Sequence, residues 1–169
     1  MIDRVRVERL WGSDGVLRAD TDRLPADVPD ETREILVDVG LPRSLGPVFE
    51  ATPVEQAGPT VLRVGRAGQG AAVVEVDLGT GEVTARVHAE LTFVNSSLAR
   101  FLAFLIEIGT VWHDAADQDD QFYADATAAM TERLDAIDSP ALREGAWWNA
   151  IVEEMVIGMI RRPPPEDSG

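Results

Sequence analysis

The chain has 169 residues, of which 45% are hydrophobic and 6% aromatic, and this is typical of one soluble domain. It carries 30 acidic residues against 15 basic ones, all of them arginine, for a formal net charge of -15. This excess argues against direct binding to nucleic acid or to an anionic membrane, and it favours a basic protein partner. Because the chain lacks cysteine, it has no disulfide, no thiolate nucleophile and no cysteine-bound zinc.

The N-terminal segment MIDRVRVERLW does not predict a secretion signal, since it is charged from its third residue. No apolar stretch approaches the roughly 18 residues of a spanning helix. We therefore expect a cytoplasmic protein with no membrane association. We also expect a single domain over residues 1–162 and a disordered tail over residues 163–169, where prolines end the last helix and nothing apolar follows.

The first part of the chain predicts two helices and a short strand. Residues 2–11 suit a short helix or an extended segment, and we predict a helix. VLRAD, which follows Gly12 and Gly15, predicts a short strand. Over residues 24–42 the pattern predicts a second helix that Gly40 ends. Its apolar face consists of Val28, Ile35, Leu36 and Val39.

The middle of the chain predicts an antiparallel meander. VFEATP, PTVLRVGRA, GAAVVEVDL and EVTARVHAE are short segments, rich in β-branched residues and separated by Gly or Pro. Val74 and Val76 alternate with Glu75, which predicts one sheet face against helices and one face in water. The same alternation places His88 beside Arg86 on the wet face.

The last part of the chain predicts three helices. FVNSSLARFLAFLIEIG changes from strand to helix at a cap formed by Asn95, Ser96 or Ser97. A second helix runs from about residue 120 to 137, and a third begins with Ser139 at its cap and Pro140 at its first position. This order of elements predicts an α+β fold, with a central, mostly antiparallel sheet and flanking N- and C-terminal helices. The predicted buried face of the last helix consists of Trp148, Ile151, Val152, Met155 and Met159.

The densest cluster of ligand-type side chains lies between His113 and Asp120. Divalent metals favour such oxygen-rich segments. An EF-hand loop that starts at Asp117 would need Gly and an acid where Phe122 and Ala128 stand, however. We interpret the segment as a solvated acidic connection between helices, with a divalent-metal enzyme as the less favoured hypothesis, and we predict no metal and no cofactor.

No other motif predicts catalysis. GRAGQG, over residues 65–70, lacks the order of a nucleotide-binding loop and precedes a strand, so it predicts a turn between strands. The sequence also has no G-x-S-x-G elbow around a nucleophilic serine. We therefore predict that the protein is not an enzyme.

Four segments together resemble the fourth subfamily of the bacterial SUKH superfamily. They are VGLP, VVEVDLGTGEV, FVNSSLARFLAFL and WWNAIVEEMVIGM, and the resemblance runs from about Leu24 to Met159. It implies a central sheet packed on helices, in immunity proteins that bind and neutralise cognate toxins of polymorphic toxin systems. It implies no catalytic residues. The matched positions to which it gives architectural roles are Gly40, Asn95, Ser96, Phe101 and Trp148.

Together, the charge and the resemblance predict binding to a basic, cognate toxin domain, with acidic groups that accelerate association. Trp147 and Trp148 differ by about 100° around their helix, so we predict that Trp148 lies in the core and that Trp147 is a partner-binding anchor, with both rings in the core as the alternative. A regulatory scaffold with an endogenous protein partner is the alternative hypothesis. The candidate acidic contacts are Asp114, Asp117, Asp119, Asp120, Glu153 and Glu154.

Overall fold

Helices, then strands, then helices follow one another along the chain, as the sequence predicts. The computed structural model describes residues 2–116 and 118–160. Strands β3 to β8 form one antiparallel sheet in sequential order, and β1 pairs with β2 in a separate ribbon, so the fold is α+β. The proposed tail, residues 163–169, lies outside the described residues.

The helices are α1 (Arg4–Trp11), α2 (Asp30–Glu34, continued by a π-helical turn at Ile35–Val39), α3 (Leu98–Asp114), α4 (Asp120–Asp138) and α5 (Trp147–Val156). The strands are β1 (Val16–Leu17), β2 (Leu41–Pro42), β3 (Ser44–Leu45), β4 (Phe49–Gly58), β5 (Val61–Ala67), β6 (Ala72–Asp77), β7 (Val83–Val87) and β8 (Glu90–Asn95).

The two N-terminal helices begin and end for local reasons. The carboxylate of Asp3 accepts a hydrogen bond from the Arg6 backbone at 2.8 Å, which caps α1. Gly40 ends the second helical segment with a φ of 88°, in the region that favours glycine. A β-carbon at Gly40 would also collide with the Val16 side chain, so this position needs glycine for both conformation and space.

Core-facing and outward-facing side chains alternate along the sheet as predicted, except that Glu75 is shielded from solvent. Val74 and Val76 are buried on the core side. Glu75 points the other way but is only 3% exposed, because its carboxylate lies against Arg63 (3.3 Å) and Arg86 (2.7 Å). The hydrogen bond from Arg86 to Glu75, assisted by the opposite charge, raises the pKa of Arg86. The outer face therefore holds a fixed ion triad.

The prediction for His88 was wrong. β7 ends at Val87, and His88 lies in the turn before β8 with a φ of 54°. Strand alternation therefore does not apply to its side chain. The pattern EVTARVHAE contains no Gly or Pro that would mark this turn.

The last helix begins later than predicted. Ser139 and Pro140 form a short 3₁₀ helix that directly follows α4, and α5 begins after Gly145, which has a φ of 83°. Met159 is 73% exposed rather than buried, because the helix has already ended and Gly158 turns the chain with a φ of 73°. The other predicted core residues of this helix are buried, namely Trp148, Ile151, Val152 and Met155.

A buried carboxylate, that of Asp138, joins β8, α3 and α5. One of its oxygens accepts from the Asn95 amide (3.0 Å) and the Ser96 backbone (2.8 Å); the other accepts from the Ser96 hydroxyl (2.7 Å) and Arg100 (3.3 Å). Asn95 in turn accepts from the Trp148 indole at 2.7 Å. These polar groups are satisfied within one network, which makes their burial tolerable.

A second internal carboxylate connects three helices. Glu107, on α3, accepts from Arg6 of α1 at 2.9 Å and from Arg133 of α4 at 2.6 Å. It is only 8% exposed, although the sequence places it in an apolar run. The two arginines make this burial possible, because a lone buried carboxylate would be strongly unfavourable.

Replacing Asp138 with Ala will lower the free energy of unfolding by about 3–5 kcal/mol, because it strands buried donors of Asn95 and Ser96. Urea denaturation measures this loss. Asp135→Ala is the matched control, since Asp135 is exposed on the same helix, and it should change stability by less than about 0.5 kcal/mol. Equal effects of the two variants would contradict a structural role for the network.

Candidate functional site

A surface groove of about 470 Å³ opens beside α5. One wall comes from Trp147, Ala150, Ile151 and Glu154. These residues follow the spacing i, i+3, i+4, i+7, so they form one face of the helix. The remaining lining residues come from three other segments and are Pro47, Val48, Gly68, Gln69, Met159 and Ile160.

The opposite wall is built largely from the turn between β5 and β6. Gly68 and Gln69 both have a φ of 56°, a left-handed conformation that is uncommon for glutamine. The tip of the Trp147 ring lies near this turn, since a β-carbon at Gly68 would stand 3.6 Å from its Cη2 atom. The turn predicted for the GRAGQG segment occupies only its second half, since residues 65–67 still belong to β5, and this turn also shapes the groove.

Among the described residues that line the groove, only Glu154 is charged. Its carboxylate is exposed and has no hydrogen bond or ion pair with any described residue. Glu154 lies in the last turn of α5, where the helix dipole is negative. The site therefore combines apolar and aromatic walls with a negative charge that no residue of 2–116 or 118–160 pairs, which suits a cationic side chain.

Glu153 differs from its neighbour although it is also exposed. Its carboxylate accepts a hydrogen bond from the Asn149 amide at 2.9 Å, one turn earlier on α5. Glu153 does not line the groove. Consecutive helix residues point about 100° apart, which explains why only one of the two acids reaches this surface.

The other predicted contacts lie around the start of α4. The Tyr123 hydroxyl donates to the Ile160 carbonyl at 2.7 Å, which ties the end of the groove to the first turn of α4. Asp119 caps this helix by accepting from the Phe122 backbone at 2.8 Å, and Asp120 follows it. The groove and this part of the acidic connection are thus neighbours.

Of the remaining two candidate acids, Asp114 does not line the groove. Asp114 ends α3, and its carboxylate lies 3.2 Å from the Nδ1 atom of His113. Asp117 falls outside the described residues. The structure therefore brings Trp147 and Glu154 together, places Asp119 and Asp120 near the end of the groove, and leaves Asp114 and Glu153 elsewhere.

The described residues give no support to a metal centre. Over residues 2–116 and 118–160, His, Asp and Glu side chains do not gather in any group of three or more that could hold a metal ion.

Among the helices in the same part of the chain, none combines the length and apolar character that crossing a membrane requires.

The comparison with protein families identifies the fold that carries this groove. A family model described as SUKH-4 immunity protein matches residues 2–154. The chain belongs to this family. Comparisons with curated proteins and with solved structures gave no match. Membership of the SUKH-4 family points to a toxin-neutralising immunity role, and the matched region includes the whole of the α5 wall of the groove.

The two adjacent tryptophans should differ sharply in their contribution to stability. Trp148 is fully buried, with its ring centroid 5.3 Å from that of Phe104, so Trp148→Ala will cost about 3–5 kcal/mol. Trp147 is only partly buried and packs against the edge of the core, so Trp147→Ala will cost less, about 1–2.5 kcal/mol. Denaturant unfolding measures both, and similar losses would show that Trp147 is a core residue rather than a binding group.

Proposed function

We propose that this protein binds a cognate toxin domain with a basic surface and blocks its activity without catalysing a reaction. The observation that carries the proposal is the groove beside α5, which Trp147 and the exposed carboxylate of Glu154 line together. Family membership supports the immunity role, and the net charge of -15 supports a basic partner.

Affinity in such a complex requires a buried anchor as well as charge. Binding energy in protein interfaces concentrates in a few residues, with tryptophan among the most enriched. Trp147 meets this requirement, because it is partly exposed while α5 is held in place by the buried Trp148. The groove therefore provides a rigid surface whose central aromatic side chain remains available to a partner.

The acidic candidates that do not line the groove have a different role in this proposal. Asp114, Asp117, Asp119 and Asp120 lie in or beside the connection between α3 and α4, and Glu153 lies on the neighbouring helix. Exposed charges of this kind chiefly attract a basic partner and orient it before contact. We propose that these acids determine the association rate and that the groove determines the lifetime of the complex.

The test begins with a pull-down of the tagged protein from its native cells at low and moderate salt, followed by mass spectrometry. The expected result is a stoichiometric toxin polypeptide with a basic C-terminal domain. That domain, purified, should lose its toxic activity when one equivalent of this protein is added. Retention of a housekeeping protein, or no inhibition of the captured domain, would contradict the proposal, and the first outcome would favour a regulatory scaffold.

Neutralising the acidic connection should slow association with the toxin domain. Changing Asp114, Asp117, Asp119 and Asp120 together to Asn will lower the rate constant about tenfold at low salt and flatten its salt dependence. Asn at position 119 still caps α4, so the fold should persist. Stopped-flow measurements at several salt concentrations give both quantities.

A variant with the same net charge provides the control. It replaces four acids near α2 by their amides, at exposed positions in the N-terminal part of the chain. If this variant slows association as much as the first, total charge rather than the acidic connection determines the rate. The four control positions are Asp22, Asp27, Asp30 and Glu31.

A further inference from the structure

We propose that the groove beside α5 accepts one arginine side chain of the toxin domain, with its aliphatic stem against the Trp147 indole and its guanidinium paired with the Glu154 carboxylate. This inference rests on the proposed function and specifies the chemistry of the partner at that site. It follows from the groove geometry, its single charge and the chemistry of the available cationic side chains.

The spacing of the two groups suits a long side chain. Trp147 and Glu154 are seven residues apart on one helix face, which separates their backbones by roughly 10 Å along the axis. Between them the wall is formed by Ala150 and Ile151. An extended aliphatic stem can lie along this apolar stretch while its charged end reaches the carboxylate.

The combination of an aromatic face and a carboxylate favours arginine over the alternatives. A guanidinium is planar, weakly hydrated and donates two parallel hydrogen bonds to a carboxylate, so it pairs with an acid beside apolar and aromatic walls more readily than the compact, strongly hydrated ammonium of lysine. An apolar side chain would remove water from Glu154 without pairing it, at a net cost. An acidic side chain would meet direct repulsion from the same residue.

The charge of the protein also argues against a second copy of this chain as the occupant. Each copy carries a formal net charge of -15, so self-association through a surface with an unpaired acid brings like charges together. A basic toxin surface has the complementary sign. The volume of about 470 Å³ also leaves room for residues beside the arginine in the same toxin segment.

The test uses the full-length protein, labelled with ¹⁵N, and the blocked pentapeptide Gly-Gly-Arg-Gly-Gly. The indole NH signal of Trp147 is assigned through its loss in Trp147→Phe. We expect the arginine peptide to shift this signal with saturation in the millimolar range. A peptide with citrulline, the neutral counterpart of arginine, should leave it unchanged, and the lysine peptide should bind several-fold more weakly.

Glu154→Gln and Glu153→Gln form a matched pair, since both residues are exposed on the same helix and each change removes one negative charge. Glu154→Gln should weaken binding of the arginine peptide about fivefold, and Glu153→Gln should leave it unchanged. Equal weakening by both variants would overturn the inference. Shifts at the other indoles instead of Trp147, or equal binding of the citrulline peptide, would also overturn it.

Failure of this inference can be separated from failure of the proposed function. If the protein inhibits the captured toxin domain, but Glu154→Gln inhibits it as strongly as Glu153→Gln, the arginine site is wrong and the immunity role stands. If the arginine peptide binds as expected, but no toxin domain is inhibited, the site stands and the proposed function is wrong.

Discussion

The buried carboxylate of Asp138 is the interaction on which the placement of the C-terminal part depends. It holds Asn95 and Ser96 at the end of β8, and Asn95 holds the indole of Trp148 through a hydrogen bond of 2.7 Å. Because Trp148 is fixed in the core, the position of the preceding helix residue, Trp147, is fixed as well. Trp147 must then lie about 100° away, at the edge of α5 that faces the β5–β6 turn. A polar network inside the core thus determines which aromatic side chain remains available at the surface.

The elements that sequence reasoning predicted well are those specified by nearby residues. The apolar period of α3, its cap at Ser97 and the glycine after the second helical segment all act within a few positions. The start of the last helix was wrong although Ser139 and Pro140 are genuine signals, because they begin only a 3₁₀ turn. Asp138, just before them, is instead used by a tertiary network with residues about 40 positions away. Local patterns cannot reveal that competing use.

The candidate site was predictable to a similar, partial extent. Trp147 and Glu154 lie on one helix, so their shared face follows from the helical period. The opposite wall comes from Pro47 and from Gly68-Gln69, about 80–100 residues earlier, and the helical period of α5 carries no information about which distant turns face it. The burial of Glu75 escaped prediction for the same reason, since its two arginines stand on neighbouring strands.

In the proposed complex, the strength and the speed of binding have separate physical sources. Exposed acids act over a Debye length of about 8 Å or more, so any sufficiently basic surface feels them and they discriminate poorly between partners. A carboxylate at an apolar wall acts only on contact, because a partner that covers Glu154 without pairing it loses the hydration of that charge. The acidic connection would therefore attract basic proteins in general. The groove selects among these proteins, because a mismatched side chain there weakens binding instead of simply contributing nothing.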